Sequence, residues 1–444
     1  MSKKSLLSEL PANSRIQINH YNDVLYQTID SLVSIARTCC LNSQKDFTRN
    51  RKLPLKTVLL QLLTFHGSSL QTELFKLLPT EAMPATTSAL IQQRNKIKPE
   101  AFDYLFSKFM GNFALHGTFK GYRLLACDGS VIQLPRNPAD VNTSVVANPN
   151  AKSYNCEHLN AMYDLMNNVY LSYIFDDGLD VHEKDALVKM TACLPDPKHS
   201  IITADRGYGY YNTLFALESI GCHYVIRVKD FHSNSILTQL KLPDTEFDIK
   251  RKIKITRHKN KEYINDPNWV VLGSKSTFNF FDRDGFAEAE FRIIRFRLSS
   301  GEYECLLTDL PESEFDTETI KEIYAKRWGI ETSFRLLKYS IDIVHLHSKK
   351  YNLIMQEIVA KLLMFNVYSL MIHTIPDRYL ASGNRFRTNF NQAVGALRDF
   401  ILTGNSVLLN RLLYSQVMVR EGRSVKRGNL HDTKPAKSFT YRAS

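Results

Sequence analysis

The residues best suited to chemistry lie in one stretch, YAKRWGIETSFRLLK, which runs from Tyr324 to Lys338. On a helix that turns by about 100° per residue, Tyr324, Arg327, Glu331 and Lys338 fall within a stripe about 60° wide. An adjoining arc carries the apolar side chains of Ile323, Ile330, Phe334 and Leu337. A charged stripe at the edge of the buried face favours partly desolvated groups that meet a substrate. The alternative is an amphipathic helix on which Arg327 and Glu331 form an i,i+4 ion pair.

Two aspartates lie far from this helix in sequence, each in an apolar segment: Asp128 in ACDGS and Asp205 in ITADRG. A carboxylate in such surroundings is costly unless it is paired or bound to a metal. If the two segments are neighbouring strands and the Glu331 helix packs across them, three carboxylates converge. Oxygen ligands of this kind suit Mg²⁺, which keeps positions open for water and phosphate. The sequence therefore predicts a hard-cation site formed by Asp128, Asp205 and Glu331.

The elements that must position these aspartates lie between residues 119 and 228. Three strands are predicted in GYRLLACDGSVIQLP, HLNAMYDLMNN and VYLSYIFDDG, with a turn at Asn167 and Asn168 between the last two. Next come a helix in DVHEKDALVKMTACL with Asp180 as a candidate cap, a strand in HSIITADRGYG, a helix ending at Gly221, and a strand in CHYVIRVK. Three strands, helix, strand, helix, strand is the outline of a mixed α/β sheet.

Residues 1 to about 118 predict helices, because LPLKTVLLQLL, QTELFKLL and PEAFDYLFSKFM repeat apolar residues at helical spacing. Between them, ATTSALIQQRNKIKP predicts a short helix capped by Thr86 or Thr87. The polar residues of this segment include Gln92, Gln93, Arg94 and Lys96. A short helix followed by a capped basic helix is typical of a helix-turn-helix that reads a DNA groove. The alternative is a solvated face of a helical bundle.

Residues of about 229 to 300 predict further strands. IKRKIKITRHKNKEY alternates isoleucine with lysine, which indicates a strand with one basic face, and FRIIRFRLSSGEYECLLTDLP predicts a hairpin. From Thr317 the pattern predicts helices to about residue 415. The last thirty residues contain seven Lys and Arg against two Asp and Glu, which predicts a basic tail.

The chain of 444 residues has a net charge of +12 and a pI near 9.2, which favours a polyanionic partner, nucleic acid before an anionic membrane. Its length predicts two to four domains, or one core with insertions. No run of about 18 apolar residues is evident and the start is polar, so we expect a soluble intracellular protein. The seven cysteines, odd in number and without C-x-x-C spacing, predict reduced and mostly buried thiols.

Tyr324, Arg327, Glu331 and Lys338 match a Y-x2-R-x3-E-x6-K signature at every spacing. By this signature the chain resembles insertion-sequence DDE transposases with a ribonuclease-H-like core, a group of bacterial cut-and-paste enzymes. DGSVIQLP and ADRGYGYYNTLFALESIGCHYVIRVK resemble the other two motifs of that group. The resemblance implies an α/β fold: a ribonuclease-H-like mixed sheet core with a β-rich insertion, plus α-helical N-terminal and C-terminal regions.

The resemblance also implies a division of the chain into five parts. These are a helical DNA-binding region at 1–118, the first part of the catalytic core at 119–228, a β-rich insertion at 229–300, the second part of the core with the Glu331 helix at 301–375, and a helical region with a basic tail at 376–444. The last of these is where we expect a protein contact.

As the resemblance implies, Asp128, Asp205 and Glu331 are the catalytic residues and hold two Mg²⁺ ions, for which Mn²⁺ can substitute. The implied reaction is cut-and-paste transposition: 3′ nicking, hairpin formation and resolution, and strand transfer. The implied partners are double-stranded DNA, as terminal inverted repeats and as target, and a second copy of the chain. The implied location is the bacterial cytoplasm at the nucleoid, with no membrane partner.

Five residues are expected to contact DNA. Tyr324, Arg327 and Lys338 would hold phosphates near the cleaved end, with Arg327 bidentate and Lys338 a point charge. Arg206 either reaches a phosphate or pairs with a carboxylate. Trp269 lies in the insertion, where related enzymes stack an extruded base, but a core or edge role is the alternative.

Several residues compete for these roles. Asp164, Asp176 and Asp177 are rival carboxylates, and Asp176 and Asp177 stand in a turn sequence that favours Asp for backbone reasons. His345 and His347 form an H-x-H pair without an evident third ligand, so we expect ordinary histidines. Two other functions stay open: a ribonuclease-H-like nuclease that cuts without joining, and a DNA-binding protein whose catalytic role has been lost.

Overall fold

The structure of the chain is a computed structural model that describes residues 9–49, 51–77, 85–146, 152–177, 181–282, 284–380 and 382–419. The predicted cap at Asp180 and the tail from residue 420 lie outside these ranges. The described helices are α1 (Ala12–Ser34), α2 (Ala36–Cys39), α3 (Leu55–Thr64), α4 (Leu70–Leu77), α5 (Thr87–Arg94), α6 (Glu100–Met110), α7 (Glu183–Ala192), α8 (Tyr211–Ile220), α9 (Lys261–Asn265), α10 (Thr317–Lys326), α11 (Trp328–Tyr339), α12 (Tyr351–His373), α13 (Phe390–Thr403) and α14 (Arg411–Tyr414). The described strands are β1 (Arg123–Leu134), β2 (Ser144–Val145), β3 (Tyr154–Asp164), β4 (Val169–Asp177), β5 (Ser200–Ala204), β6 (His223–Val228), β7 (Phe247–Thr256), β8 (Trp269–Val271), β9 (Phe286–Arg297), β10 (Tyr303–Thr308), β11 (Arg378–Tyr379), β12 (Arg385–Thr388) and β13 (Gln416–Met418).

The centre of the molecule is a sheet of ten strands within the described residues. Its first five long strands lie in the order β4-β3-β1-β5-β6. β3 runs antiparallel to β1 and β4 antiparallel to β3, whereas β5 is parallel to β1 and β6 is parallel to β5. Together with the crossover helices α7 and α8, this is the ribonuclease-H-like mixed sheet that the sequence predicted.

The β-rich segment before the Glu331 helix continues the same sheet, in the order β6-β10-β9-β7-β8. The hairpin of β9 and β10 and the strand β7 were predicted from the sequence. The basic face predicted for β7 is neutralised by glutamates of β9: Lys250 pairs with Glu290, and Lys252 with Glu288 at 3.5 Å. These lysines therefore offer less free charge than their sequence pattern suggested.

Helices cover both faces of the sheet. On one face, α7 and α8 pack against apolar side chains such as Leu125, Cys127 and Ile202. On the other face, α10 packs on Leu124 and Ile201, and α11 and α12 pack on the part of the sheet formed by β1, β3 and β4. Because side chains alternate between the two faces of a strand, even-numbered positions of β1 and odd-numbered positions of β5 share the face covered by α10 and α11.

One described helix, α12, is long and apolar enough to cross a membrane by length and composition, with a mean hydropathy of 1.4 over eighteen residues. All of that window is buried inside the protein. The expectation that the chain has no such apolar run was therefore wrong. The physical reason is that a helix buried on every side needs no polar face, so its sequence resembles that of a membrane span.

The helices predicted before residue 119 are present as α1 to α6 in the described ranges. Thr86 caps α5 by accepting the N–H of Ala89 at 3.2 Å, as predicted. Of the four polar residues expected on a groove-reading face, Arg94 cannot take part, because it is 0% exposed and pairs with Glu357 of α12 at 2.8 Å. Gln93 is also buried, so the alternative of a solvated face does not describe this side of α5 either.

The prediction of continuous helix to about residue 415 was wrong for one segment. After α12 ends, β11 and β12 form a hairpin, and β13 adds a third antiparallel strand beyond α13 and α14. Pro376 cannot continue a helical hydrogen-bond ladder, and Gly383 adopts the positive φ of +80° that the hairpin turn needs.

All seven cysteines lie in described residues and are free, and all but Cys193 are buried. This agrees with the prediction of reduced, mostly buried thiols. Burial raises the pKa of Cys222 and Cys305 to about 12, so these two thiols stay protonated at neutral pH.

Candidate active site

The register of two neighbouring strands brings Asp128 and Asp205 together. β1 and β5 are parallel, with Leu125 opposite Ile202 and Ala126 opposite Thr203. Carried two residues further, the same register sets Asp128 opposite Asp205, the residue that directly follows β5. Neighbouring strands lie about 4.8 Å apart, and both side chains are on the face covered by α10 and α11.

Glu331 reaches the same face from α11. The helix packs on β1 through Ile330, Phe334 and Leu337, all buried against the sheet and α12. Gly329 allows this close approach, because a Cβ there would lie 2.7 Å from Cδ2 of Leu165 in the turn after β3. The structure thus places three carboxylates from distant parts of the sequence on one face of the sheet.

The surroundings of Asp128 disfavour its ionised carboxylate. The pKa of Asp128 is raised to about 7, chiefly by burial and in smaller part by the nearby carboxylates of Asp205 and Glu331. The N–H of Gly129, which donates to Oδ1 at 2.9 Å, and the charge of Arg327 act in the opposite direction. A bound cation would favour the ionised form of all three acids.

Arg327 lies at the junction of α10 and α11, where the sequence predicted one uninterrupted helix. The N–H of Arg327 donates to the carbonyl of Tyr324 at 3.0 Å, so the chain tightens here without leaving the helical region. The guanidinium donates to Oε1 of Glu331 at 2.9 Å and lies over the rings of Tyr324 and Trp328. Its side chain is 5% exposed, so in this conformation it does not face a DNA backbone.

The other two signature residues differ in access to solvent. Tyr324 is buried in the apolar cluster under α10, against Ile201 and Leu306. Lys338 is only partly buried, two turns beyond Glu331 on α11, and burial lowers the pKa of its ammonium group. Lys338 is therefore better placed than Tyr324 to meet a phosphate.

The fit of this site to a metal ion can be judged from its donors. Three carboxylates with an Asp128 pKa raised by burial and acidic neighbours suit a hard divalent cation. However, across the described ranges no group of three or more His, Cys, Asp or Glu side chains lies close enough to hold one. Glu331 instead pairs with Arg327, at 2.9 Å between Oε1 and the guanidinium.

Behind Asp128, on the opposite face of the sheet, lies a pair that sequence reasoning missed. Nε2 of His158 on β3 is 3.1 Å from Oε1 of Glu183 on α7. A Cβ at Gly129 would lie 2.4 Å from both of these atoms, so a larger residue there would force one or both side chains to move. The glycine of the segment ACDGS was the available signal, because a glycine inside a strand often marks the close approach of another group.

The rival carboxylates have structural roles. Asp164 accepts the N–H groups of Met166 and Asn167 at 3.0 and 2.9 Å and so fixes the turn between β3 and β4. Asp176 accepts hydrogen bonds from Nδ2 of Asn160 at 2.7 Å and from the N–H of His182 at 2.9 Å. The side chain of Asp177 lies outside the described part of the chain.

The two histidines of the H-x-H pair point to different partners. His345 pairs with Asp342, whereas His347 contacts Oε2 of Glu357 at 3.1 Å and the carbonyl of Ser68 at 2.8 Å. These contacts agree with the expectation of ordinary histidines. His347 instead belongs to the buried charge cluster that also contains Arg94.

Arg206 and Trp269 lie in different places relative to Asp205. Arg206 is exposed in the loop after β5, where the N–H of Gly207 donates to Oδ1 of Asp205 at 2.7 Å. Trp269 begins β8, six strand spacings or about 29 Å across the sheet from β1. Its ring stacks on Tyr263 with centroids 4.1 Å apart, which covers one of its faces.

Comparison with known proteins identifies relatives of this architecture. A candidate transposase for insertion sequence element IS4SA from Synechocystis sp. strain PCC 6803 is 28% identical over 131 residues, which are 28% of this chain and 38% of that protein. The chain thus matches well under half of that relative's length. A cryo-EM structure of the piggyBac transposase synaptic complex with hairpin DNA superposes with a TM-score of 0.47 and 9% identity, over 90% of this chain and 82% of that one. At this TM-score the likeness supports no inference.

A broader match covers the elements that carry the three carboxylates. The family described as "Transposase DDE domain" matches residues 119–367, from the segment before β1 into α12. This range includes Asp128, Asp205 and Glu331 and more than half of the chain. The chain therefore belongs to the transposase DDE domain family.

Proposed function

We propose that this chain is a transposase that cleaves DNA at the ends of a mobile element and joins those ends to target DNA. Asp128, Asp205 and Glu331 are its catalytic and metal-binding residues. The observation that carries the proposal is the register of β1 and β5, which sets the two aspartates opposite each other on the face crossed by α11. Family membership supports the same class of reaction.

The proposed cofactor is Mg²⁺, as two ions for which Mn²⁺ can substitute. When bound, the ions supply the charge that activates water or a 3′-OH and stabilises the leaving oxygen in an in-line displacement at phosphorus. Asp128, Asp205 and Glu331 hold them. Because burial raises the pKa of Asp128 to about 7, this residue must lose a proton when a cation binds at neutral pH.

The remaining signature residues divide into positioning and contact roles. Tyr324 and Arg327 position Glu331, because Tyr324 anchors α10 in the core and Arg327 donates to the Glu331 carboxylate. With the Glu331 carboxylate holding a metal ion, the Arg327 guanidinium would be available to a DNA phosphate. Lys338 and Arg206 contact phosphates as point charges near the cleaved end. A base-stacking role for Trp269 requires DNA that reaches the far edge of the sheet.

The test uses duplexes that carry the inverted repeats flanking the gene, incubated with the protein and Mg²⁺. Asp128→Asn, Asp205→Asn and Glu331→Gln should each abolish cleavage while DNA binding persists. Asp176→Asn is the matched control, since this carboxylate lies one strand beyond β3 and bonds to Asn160 and His182. Full cleavage by any of the three variants would overturn the proposal.

The reaction products distinguish the proposed transposase from two other functions. A ribonuclease-H-like nuclease would cut the same duplexes but would not join a 3′-OH end to a plasmid target, whereas a transposase yields the joined product. A catalytically retired DNA-binding protein would bind the repeats and yield neither product. The three acidic side chains on one face of the sheet argue against the retired protein, and family membership favours the transposase over the nuclease.

The proposed partners are double-stranded DNA and a second copy of the chain. We expect a homodimer on paired element ends, in the bacterial cytoplasm at the nucleoid. Analytical ultracentrifugation of the protein with end duplexes tests the stoichiometry. Two chains with two duplexes is the expected complex.

A further inference from the structure

We propose that the outer face of the small sheet β11-β12-β13 is a surface that binds the DNA phosphate backbone without reading sequence. The inference rests on the proposed DNA-acting function and assigns to this surface a task separate from cleavage. It is separate from the protein contact that the sequence predicts for the helical region after residue 376.

The first support is the distribution of charge along the chain. Residues 376–444 contain twelve Lys and Arg against four Asp and Glu, a surplus of eight out of the +12 of the whole chain. The other 375 residues are nearly balanced. Long-range attraction to a polyanion is therefore concentrated in this region.

The second support is the register of the sheet. Tyr379 is opposite Arg385, and Val417 is opposite Arg387, so these four side chains share one face. All four are exposed, with Tyr379 at 66% and Val417 at 38%. The opposite face carries Phe386, which is partly buried under the guanidinium of Arg378.

The chemistry of this outer face suits nucleic acid. Arg385 and Arg387 lie two residues apart on β12, about 7 Å from each other along the strand, which is close to the spacing of successive phosphates on one strand of DNA. Asp377 pairs with Arg385, so a phosphate would compete for that guanidinium. The neighbouring Tyr379 offers an aromatic ring beside the charges.

A second copy of the chain is a poorer occupant for the same face. In a two-fold symmetric contact the surface meets itself, so Arg385 and Arg387 would face the same arginines across the interface. Like charges in contact oppose association. Charge complementarity therefore selects DNA. The strand β13 also leads within two residues into the basic sequence that begins at Arg420, so the surplus charge is continuous with this face in sequence.

The experiment measures DNA binding by fluorescence anisotropy in Mg²⁺-free buffer over a range of salt, with two duplexes of equal length. One carries the inverted repeat flanking the gene and the other a scrambled sequence. The double variant Arg385→Ala with Arg387→Ala should bind both duplexes more weakly, by the same factor. It should also reduce the slope of log affinity against log salt by about one to two units, since each lost phosphate contact removes about 0.9 and Arg385 must first release Asp377.

Two further variants separate local contact from net charge and from folding. Lys250→Ala with Lys252→Ala removes the same charge from a strand whose lysines pair with glutamates, and should leave the salt slope unchanged. Arg385→Lys with Arg387→Lys keeps the charge and should restore binding. Thermal unfolding shows whether each variant is folded.

Three results would overturn the inference: an equal loss in the Lys250 and Lys252 variant, a loss confined to the repeat duplex, or unchanged DNA binding together with lost binding to phosphatidylglycerol vesicles. Because cleavage is not measured, failure of this inference is distinct from failure of the catalytic proposal. The latter is judged by the cleavage activity of Asp128→Asn, Asp205→Asn and Glu331→Gln.

Discussion

A buried charge cluster between α5 and α12 leads us to predict a large loss of stability when one of its charges is removed. The side chains of Arg94 and Glu357 are both 0% exposed and lie 2.8 Å apart. Arg94 also donates to the carbonyl of Leu353 at 2.7 Å, and His347 contacts the second oxygen of Glu357 at 3.1 Å. Glu357→Gln therefore leaves a buried guanidinium without its counter-charge. Removing one partner of such a pair costs about 3 to 5 kcal/mol of unfolding free energy.

The pH dependence of this loss follows from the pKa of Glu357. Burial alone would raise that pKa, but Arg94 and His347 outweigh burial and lower it from 4.5 to about 2. A lowered carboxyl pKa stabilises the fold above the unfolded value near 4.5, and this contribution is lost as the pH falls toward 2. The difference between wild type and Glu357→Gln should thus be largest at pH 7, shrink below pH 4.5, and nearly vanish near pH 2.

Urea unfolding followed by circular dichroism measures this difference, and hydrogen exchange of the α12 amides locates it. Glu322→Gln is the matched control, because it removes an exposed pair with Lys326 and should change stability by less than about 1 kcal/mol. Adding Arg94→Met to Glu357→Gln should recover part of the loss, since no unpaired guanidinium then remains. A Glu357→Gln protein as stable as wild type at pH 7 would refute the reasoning.

Two further predictions concern the surroundings of Asp128. Because folding raises the pKa of Asp128 to about 7, the metal-free protein should lose stability as the pH rises from about 4 to about 7, and Asp128→Asn should be more stable than wild type at pH 8 but not at pH 4. Thermal unfolding without metal at both pH values checks this, and equal midpoints at pH 8 would contradict it. Gly129→Ala should cost about 1 to 3 kcal/mol, because its Cβ would lie 2.4 Å from Glu183, and Glu183→Ala in the same chain should recover part of the loss. Unfolding midpoints of the single and double variants measure this, and a Gly129→Ala protein of unchanged stability would count against the overlap.

The placement of the three carboxylates on one face of the sheet could be predicted because it depends on simple periodicities. The alternation of side chains along a strand decides which face Asp128 and Asp205 occupy. The order of strands and helices gives the parallel pairing of β1 with β5. The apolar arc of α11 then determines that the edge bearing Glu331 lies against this face. None of these steps requires knowledge of a distant partner.

The role of Arg94 could not be predicted, because its partner Glu357 lies 263 residues away in sequence. Considered alone, a helix with several polar residues and an N-cap is predicted to lie at the surface. Only the folded chain shows that the apolar α12 supplies Glu357 as the counter-charge. The same argument applies to Trp269, whose ring contact with Tyr263 depends on how β8 and α9 pack.

The junction at Arg327 escaped prediction for a geometric reason. The stripe was placed on an ideal helix, but the N–H of Ile330 donates to the carbonyl of Arg327 at 3.1 Å, three residues back instead of four. This tighter turn separates two packing partners: Tyr324 belongs to the cluster under α10, whereas Ile330 belongs to the cluster shared with α12. Arg327 is left between them, where its charge can reach Glu331.

The helix α12 connects the candidate active site to the N-terminal helices. Near its start, Glu357 holds Arg94 of α5, and near its end Asn366 bonds to both the N–H and the carbonyl of Tyr170 in β4, at 2.8 Å each. Side chains of α1, α3 and α6 complete the same apolar cluster. The boundary predicted near residue 118 therefore marks a change of periodicity within one continuous core. Any DNA contact made by the N-terminal helices is consequently held in a fixed orientation relative to Asp128, Asp205 and Glu331.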